Sequence, residues 1–460
     1  MREELVGDTP IARGRARPRR MLPVVLLLLF PALADPVCAE EAPSPDAERF
    51  RARLDSRERF AVPDAATGLT RDVDRPFLCI VDSARYEFGG ADDEASSFTS
   101  ACENDSTREP DGMARLSREY GIDAARIAGY KRLLSDTFLH ASPLLRKWLL
   151  HPQLKTIDVL VGSGVNGVSD GVVVPPRSPA ERPRYIYALG FNAAVFEADE
   201  ARGLETFLGY FEAFQSLRGG LEHRARSLVA RRRYERMPGG PAVSLSLFDE
   251  ASGRAIRGPV GILLKIAHHE LGHCMVSFVD PPALGSRVVE GRDVYVWGDA
   301  PVPGPYRTGM LKRESDFPKL VFTREPASHV NGDYAFESPA MNRLRDTLCF
   351  AREAACGSKR HAPGDPAFVA DLLATYRGTG LLTAISTWRP DEVLCEWESV
   401  LALERWVKSW KVFPAPETSR RFVDVAREAR GFRRRAEVVR YIEYRREVFR
   451  AYLEGTEVGR

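Results

Sequence analysis

The sequence predicts an α+β fold, because every strand that can be read lies before residue 250 and the last third reads as helices. Three observations carry this. Val243-Ser244-Leu245-Ser246-Leu247 alternates apolar and polar residues, the pattern of a half-buried strand. Leu116, Tyr120, Ile127, Leu133, Leu134, Phe138 and Leu145 recur at helical spacing over 113–150. The segment from Gly258 to Val279 is apolar almost throughout, as a buried helix requires.

In chain order, Arg13, Arg15, Arg17, Arg19 and Arg20 form a basic start, and Leu22 to Ala34 an apolar run too short to span a bilayer comfortably. Residues 1–39 are therefore expected to be a signal peptide, cut after Ala34 or Ala39. An uncleaved anchor, or initiation at Met21, are the alternatives. Residues 40–75 are charged and aperiodic and read as a linker. An N-terminal α/β region is expected over 76–240. Its strands lie at 156–162 and 184–191, and its long helices at 113–150 and 203–236. Within it Gly162-Ser163-Gly164-Val165-Asn166-Gly167 matches a dinucleotide fingerprint in letters only. A helix should begin there, whereas Val168 to Val174 reads as an extended hairpin.

A central region spans 241–411. Its stretch 281–337 is rich in Pro and Gly and reads as loop, and helices are expected at 340–355, 366–377 and 391–411. A C-terminal helical region covers 412–460. Its Arg-rich helix, 418–453, is interspersed with Glu and reads as a solvated amphipathic face. The chain has 460 residues and a net charge of +2, so no polyanionic partner, nucleic acid included, is implied. Of seven Cys, six remain after cleavage at Ala39: 79, 102, 274, 349, 356 and 395. An even count in an exported chain favours disulfides. Cys274 and Cys395 are one candidate pair; the alternative is that both are buried thiols.

The most informative run is His269-Glu270-Leu271-Gly272-His273. Two His four residues apart share a helix face and can reach one tetrahedral Zn²⁺ as neutral nitrogen ligands. Glu270 can take a proton from zinc-bound water and pass it to a leaving amine. Gly258-Pro259 opens the helix and Asp280-Pro281-Pro282 stops it. His268 is off the register of the pair and reads as a supporting or surface residue.

This H-E-x-x-H resembles that of the zincin metallopeptidases. The resemblance implies a zincin-like metallopeptidase fold: a twisted sheet as upper lobe, the HExxH helix beneath it, and a mostly helical lower lobe. It makes 241–411 the expected zinc catalytic region. It also implies an edge strand that pairs with an extended substrate, for which 243–247 or 184–191 are the candidates. The longer metzincin form is absent, since Val276 and Val279 stand where Gly and the third His are needed. Gly291 to Gly298 resembles the aspzincin ligand segment, with Asp293 one place early.

Gluzincins take the third ligand from a Glu on a second helix, and in several of these families an acid follows four residues later. Glu392-Val393-Leu394-Cys395-Glu396 has that spacing amid Trp397, Val400 and Leu401, the setting of a buried helix. Glu392 is the favoured ligand, with Glu396 behind a ligand His or as ligand itself. Glu443 and Glu447 share the spacing, but nearby Arg residues offer them salt bridges. The run from His273 to Gly285 is also similar to an uncharacterised bacterial family of metallopeptidase-like proteins, which makes Glu290 another candidate. Tyr306, His329 and Tyr334 are candidate oxyanion donors.

The expected function is thus an exported, secreted or periplasmic, zinc-dependent peptidase acting on a protein or peptide. It would have no transmembrane domain after signal cleavage, and would act as an endopeptidase. Its alternatives are a zinc-stabilised binding protein without turnover, and a zinc hydrolase of a non-peptide amide such as a cell-wall bond.

Overall fold

The stretch expected to be a linker, 40–75, carries regular structure over Pro45–Leu54, Arg57–Pro63 and from Thr70 on. The computed structural model describes residues 44–63, 70–82, 98, 100–161, 167–174, 184–196, 242–249, 253–256, 258–277, 284–289, 292–297, 390–413 and 423–454, with isolated positions between 370 and 382. Helix α1 (Pro45–Leu54) starts where the Ser44 hydroxyl caps the Ala47 N–H and Pro45 takes the first turn. Ala47, Phe50 and Leu54 form its buried stripe, sparse enough to be hidden among the charges that suggested a tether. Strands β1 (Arg57–Pro63) and β2 (Thr70–Pro76) follow as an antiparallel ribbon, with Phe60 opposite Val73.

Strand β3 (Leu78–Asp82) then enters the main sheet. The helical stretch expected over 113–150 is three helices. Helix α2 (Gly112–Tyr120) ends at Gly121, whose φ of 65° is a left-handed cap. Helix α3 (Ala124–His140) is capped by Asp123, and α4 (Pro143–Leu150) by Ser142 with Pro143 in its first turn. Strands β4 (Leu154–Val161), β5 (Gly167–Val174) and β6 (Arg184–Asn192) complete the sheet in the order β3-β4-β6-β5. β3, β4 and β6 are parallel; β5 is antiparallel to β6 and forms an edge. Among the described residues no strand pairs with the other side of β5. Gly167 opens a strand, so the G-x-G-x-x-G run does not lead into a helix.

Side-chain alternation gives the sheet two covered faces. Val172, Val174, Ile186 and Ala188 pack with Phe60, Val62 and Val73 of the β1–β2 ribbon. Ile157, Val159, Tyr187, Leu189 and Phe191 face the helices.

A short helix, α5 (Ala193–Phe196), follows β6. After it come β7 (Ala242–Asp249), β8 (Arg254–Ala255) and the motif helix α6 (Gly258–Ser277). Next are an antiparallel pair, β9 (Leu284–Val289) and β10 (Arg292–Trp297), inside the stretch expected to be loop. Helix α7 (Pro390–Leu403) is shorter than the expected 391–411. A turn leads into β11 (Val407–Phe413), because that segment finds a strand partner in β7. Then come β12 (Val423–Asp424), α8 (Val425–Gly431) and α9 (Arg435–Glu454), which divide the helix expected over 418–453. The second sheet has the order β12-β11-β7-β8.

Neither candidate for the substrate-pairing edge is an edge: β7 lies between β11 and β8, and β6 between β4 and β5. Among the described residues, the edge strand next to the motif helix is β5.

The expected signal peptide 1–39, the helices expected at 203–236 and 340–355, and Glu290, Tyr306, His329 and Tyr334 lie outside the described residues. The helix expected at 366–377 is described only at isolated positions. Among the described residues no helix is long and apolar enough to cross a membrane.

A disulfide joins Cys79 of β3 to Cys102. The segment is pinned again by Asn104, whose amide donates to Leu78 O at 3.0 Å and accepts from Ile80 N at 2.7 Å. The suggested pairing of Cys274 with Cys395 is not formed; both are buried thiols. Closing a separation of 23 residues constrains the unfolded chain by about 3 kcal/mol. The double variant Cys79→Ala/Cys102→Ala should therefore lower unfolding stability by about that amount, read from denaturant midpoints. An unchanged midpoint would show that the bond contributes nothing to the sheet.

Candidate metal centre

Helix α6 is buried from Pro259 to Met275 apart from the half-buried His273. Such burial suits an apolar helix, yet this one carries Lys265, His268, His269, Glu270 and His273. Each must meet a partner, since an unpaired buried charge is costly.

Most partners come from α7. Lys265, His269 and His273 follow one another at four-residue spacing and share a face of α6; Glu392 and Glu396 do the same on α7. Glu396 Oε1 accepts from Lys265 Nζ and from His269 Nδ1, both at 2.6 Å. With its Nδ1 so engaged, His269 turns Nε2 toward Glu392 Oε2 at 3.1 Å. His273 Nε2 approaches the same oxygen at 3.6 Å. Two ligands bound tetrahedrally at 2.0–2.1 Å stand about 3.3 Å apart, so these spacings match those around a shared ion.

The charges fit as well. Burial resists the charged forms of the two carboxylates and the two imidazoles, and the pairings overcome it. Glu396 is held at about 2 against burial, by Lys265 first and then by His269. Glu392 is held well below the usual carboxylate range against burial, by His273 and His269. His269 is raised to about 10, where its hydrogen bonds to Glu392 and Glu396 and their charge outweigh burial, and His273 is raised for like reasons. Lys265 balances one of the two carboxylates. The other needs a cation, either protonated imidazole or a metal ion.

Helix α7 can come this close because residue 272 is glycine. A β-carbon there would lie 2.8 Å from Cys395 Cα and 2.9 Å from its Sγ. Cys395 Sγ, with one ring nitrogen each of His269 and His273, forms a group of potential ligand atoms all within 4.8 Å of one another. His269, His273 and Cys395 could hold a metal ion, and Glu392 stands one turn before Cys395 on the same helix.

Glu270 faces the sheet instead. Its Oε2 accepts from the Ser169 hydroxyl of β5 at 2.9 Å. The strand runs so close that a β-carbon at Gly167 would come within 2.9 Å of Glu270 Oε1 and 2.3 Å of Ile266 Cγ2. Glycine there admits the edge strand over the helix.

His268 belongs to a separate cluster. It is buried, with Nδ1 3.4 Å from Glu398 Oε1, and Arg446 of α9 donates to Glu398 Oε2 at 2.8 Å. Glu443 pairs with Arg446 at 2.7 Å and takes no part in the centre. Asp293 lies on β10 opposite Val288, with its side chain outside the described residues. Sequence reasoning missed Lys265, Gly167 and Ser169 as parts of the site, and singled out Cys395 only as a disulfide partner for Cys274. Lys265 had a signal: a single charge in an apolar run, four residues before His269. Ser169 had none, since nothing local relates it to Glu270.

Comparison of the chain with protein-family models, with curated proteins and with solved structures finds no match.

The close helix contact has a measurable consequence. Gly272→Ala should force α6 and α7 apart and cost about 1–3 kcal/mol of stability, with weaker binding of divalent metal. A variant as stable as the parent by chemical denaturation would contradict the contact.

Proposed function

We propose that this chain is a zinc-dependent peptidase of zincin-like fold, with His269, His273 and Glu392 holding the ion and Glu270 as general base. The observation that carries the reading is the convergence of two imidazole Nε2 atoms on one buried carboxylate oxygen of Glu392. Imidazole and carboxylate are the donor types of catalytic zinc sites. When bound, zinc would polarise a scissile carbonyl and make water acidic enough to attack near neutral pH.

The chain's own residues supply the rest. Ser169 fixes the Glu270 carboxylate through one oxygen, leaving the other to accept a proton from the attacking water and deliver it to the leaving amine. Glu396 holds His269 by Nδ1, which fixes its tautomer and presents Nε2. Lys265 keeps Glu396 ionised and in place. Strand β5 lies directly above Glu270 and is the edge where an extended peptide would add as a further strand. The Cys79–Cys102 disulfide is compatible with an extracellular location.

The zinc-loaded parent should hold one ion per chain by elemental analysis and cleave fluorescently labelled casein. Glu270→Gln should keep the zinc and lose nearly all activity, because Gln keeps the shape but cannot accept the proton. Activity within a fewfold of the parent would remove Glu270 from this role. A His269→Ala/His273→Ala variant that still binds one zinc would sink the metal assignment.

The ligand order can be ranked separately by zinc competition with a chromogenic chelator. Glu392→Ala should weaken binding most, and Glu396→Ala by roughly 10–100-fold, the usual cost of losing a residue that orients a ligand. Equal effects of the two would mean that Glu392 is not a ligand.

A further inference from the structure

Cys395 has no part in the proposed zinc chemistry, yet its Sγ lies among the potential ligand atoms. It stands three residues after Glu392, so the two occupy one face of α7. The thiol is fully buried against Gly272, the residue just before His273 on α6. Its Sγ and one ring nitrogen each of His269 and His273 are within 4.8 Å of one another. Thiolate is among the preferred donors for zinc. A buried sulfur beside two imidazoles and a carboxylate completes a donor set of four.

We propose that Cys395 is a fourth protein ligand, so that the resting zinc site is a closed His269–His273–Glu392–Cys395 set. On ligation the thiol gives its proton to solvent and the thiolate takes the position a catalytic site keeps open. Closed four-residue sets are the form of structural zinc, and catalytic ones retain a position for water or substrate. The folded centre is therefore damped, and each turnover of the parent requires the Cys395 side chain to withdraw first. Cys274 is also a buried thiol, but among the described residues the group of potential ligand atoms around His269 and His273 takes its sulfur from Cys395 and not from Cys274.

This inference rests on the zinc reading, and X-ray absorption at the zinc edge separates the two. The probe is the full chain loaded with zinc alone in thiol-free buffer. The expected result is one sulfur scatterer at about 2.3 Å with the remainder nitrogen and oxygen. It should be retained in Cys274→Ala and in Glu392→Ala, and lost in Cys395→Ala. The zinc-loaded Cys395→Ala variant should then cleave labelled casein at least tenfold faster than the parent. Bound zinc with only nitrogen and oxygen neighbours in the parent overturns the thiolate ligand and leaves the zinc site standing. A sulfur signal that survives Cys395→Ala, or vanishes in Cys274→Ala, assigns the sulfur elsewhere and overturns it too. A parent that retains no zinc removes both readings together.

Discussion

The structure depends on one constraint: two buried helices carry opposite charge and pair most of it with each other. Helix α6 brings Lys265, His268, His269 and His273 into the core, and α7 brings Glu392, Glu396 and Glu398 to meet them. Removing one partner from such a pair leaves an uncompensated buried charge, a loss of about 3–5 kcal/mol. An apolar pair would bury as readily without this risk. The charges therefore make sense as the frame of a site whose geometry they hold.

The main sheet gives that frame its orientation. Its helix-facing residues pack on the apolar sides of α6, and its edge strand β5 reaches Glu270 through Ser169. The glycines at 167 and 272 matter on opposite sides of α6, one admitting the strand and the other admitting α7. Both act by the absence of a β-carbon, so both contacts are set by backbone approach. The second sheet seats the other end of α6, where Leu247 of β7 packs over Gly261.

Sequence reading succeeded where the signal was local. The His spacing, Pro259 in the first turn and the apolar run defined α6, because helix periodicity is a property of neighbours in the chain. The acid spacing at Glu392 and Glu396 singled out α7 in the same way. Reading failed where a distant partner decided. Residues 40–75 look like a tether by composition, but Phe50, Phe60 and Val73 find the core and the sheet. Residues 407–413 look like the end of a helix until β7 offers them a ladder. The choice of edge strand failed for the same reason, since alternation marks a strand but not its neighbours.

The sequence by itself determined the chemistry available: two imidazoles at helical spacing, a carboxylate between them, and a second helix with paired acids. These follow from local geometry, which fixes what shares a face. Only the tertiary structure decided which oxygen meets which nitrogen, that Lys265 shares Glu396 with His269, that Cys395 Sγ comes within 4.8 Å of a ring nitrogen of each His, and that β5 rather than β7 lies over Glu270. Those contacts join residues more than a hundred positions apart. They arise when buried helices and strands settle the pairing of charges that none could bury alone, and no pattern along the chain encodes that outcome.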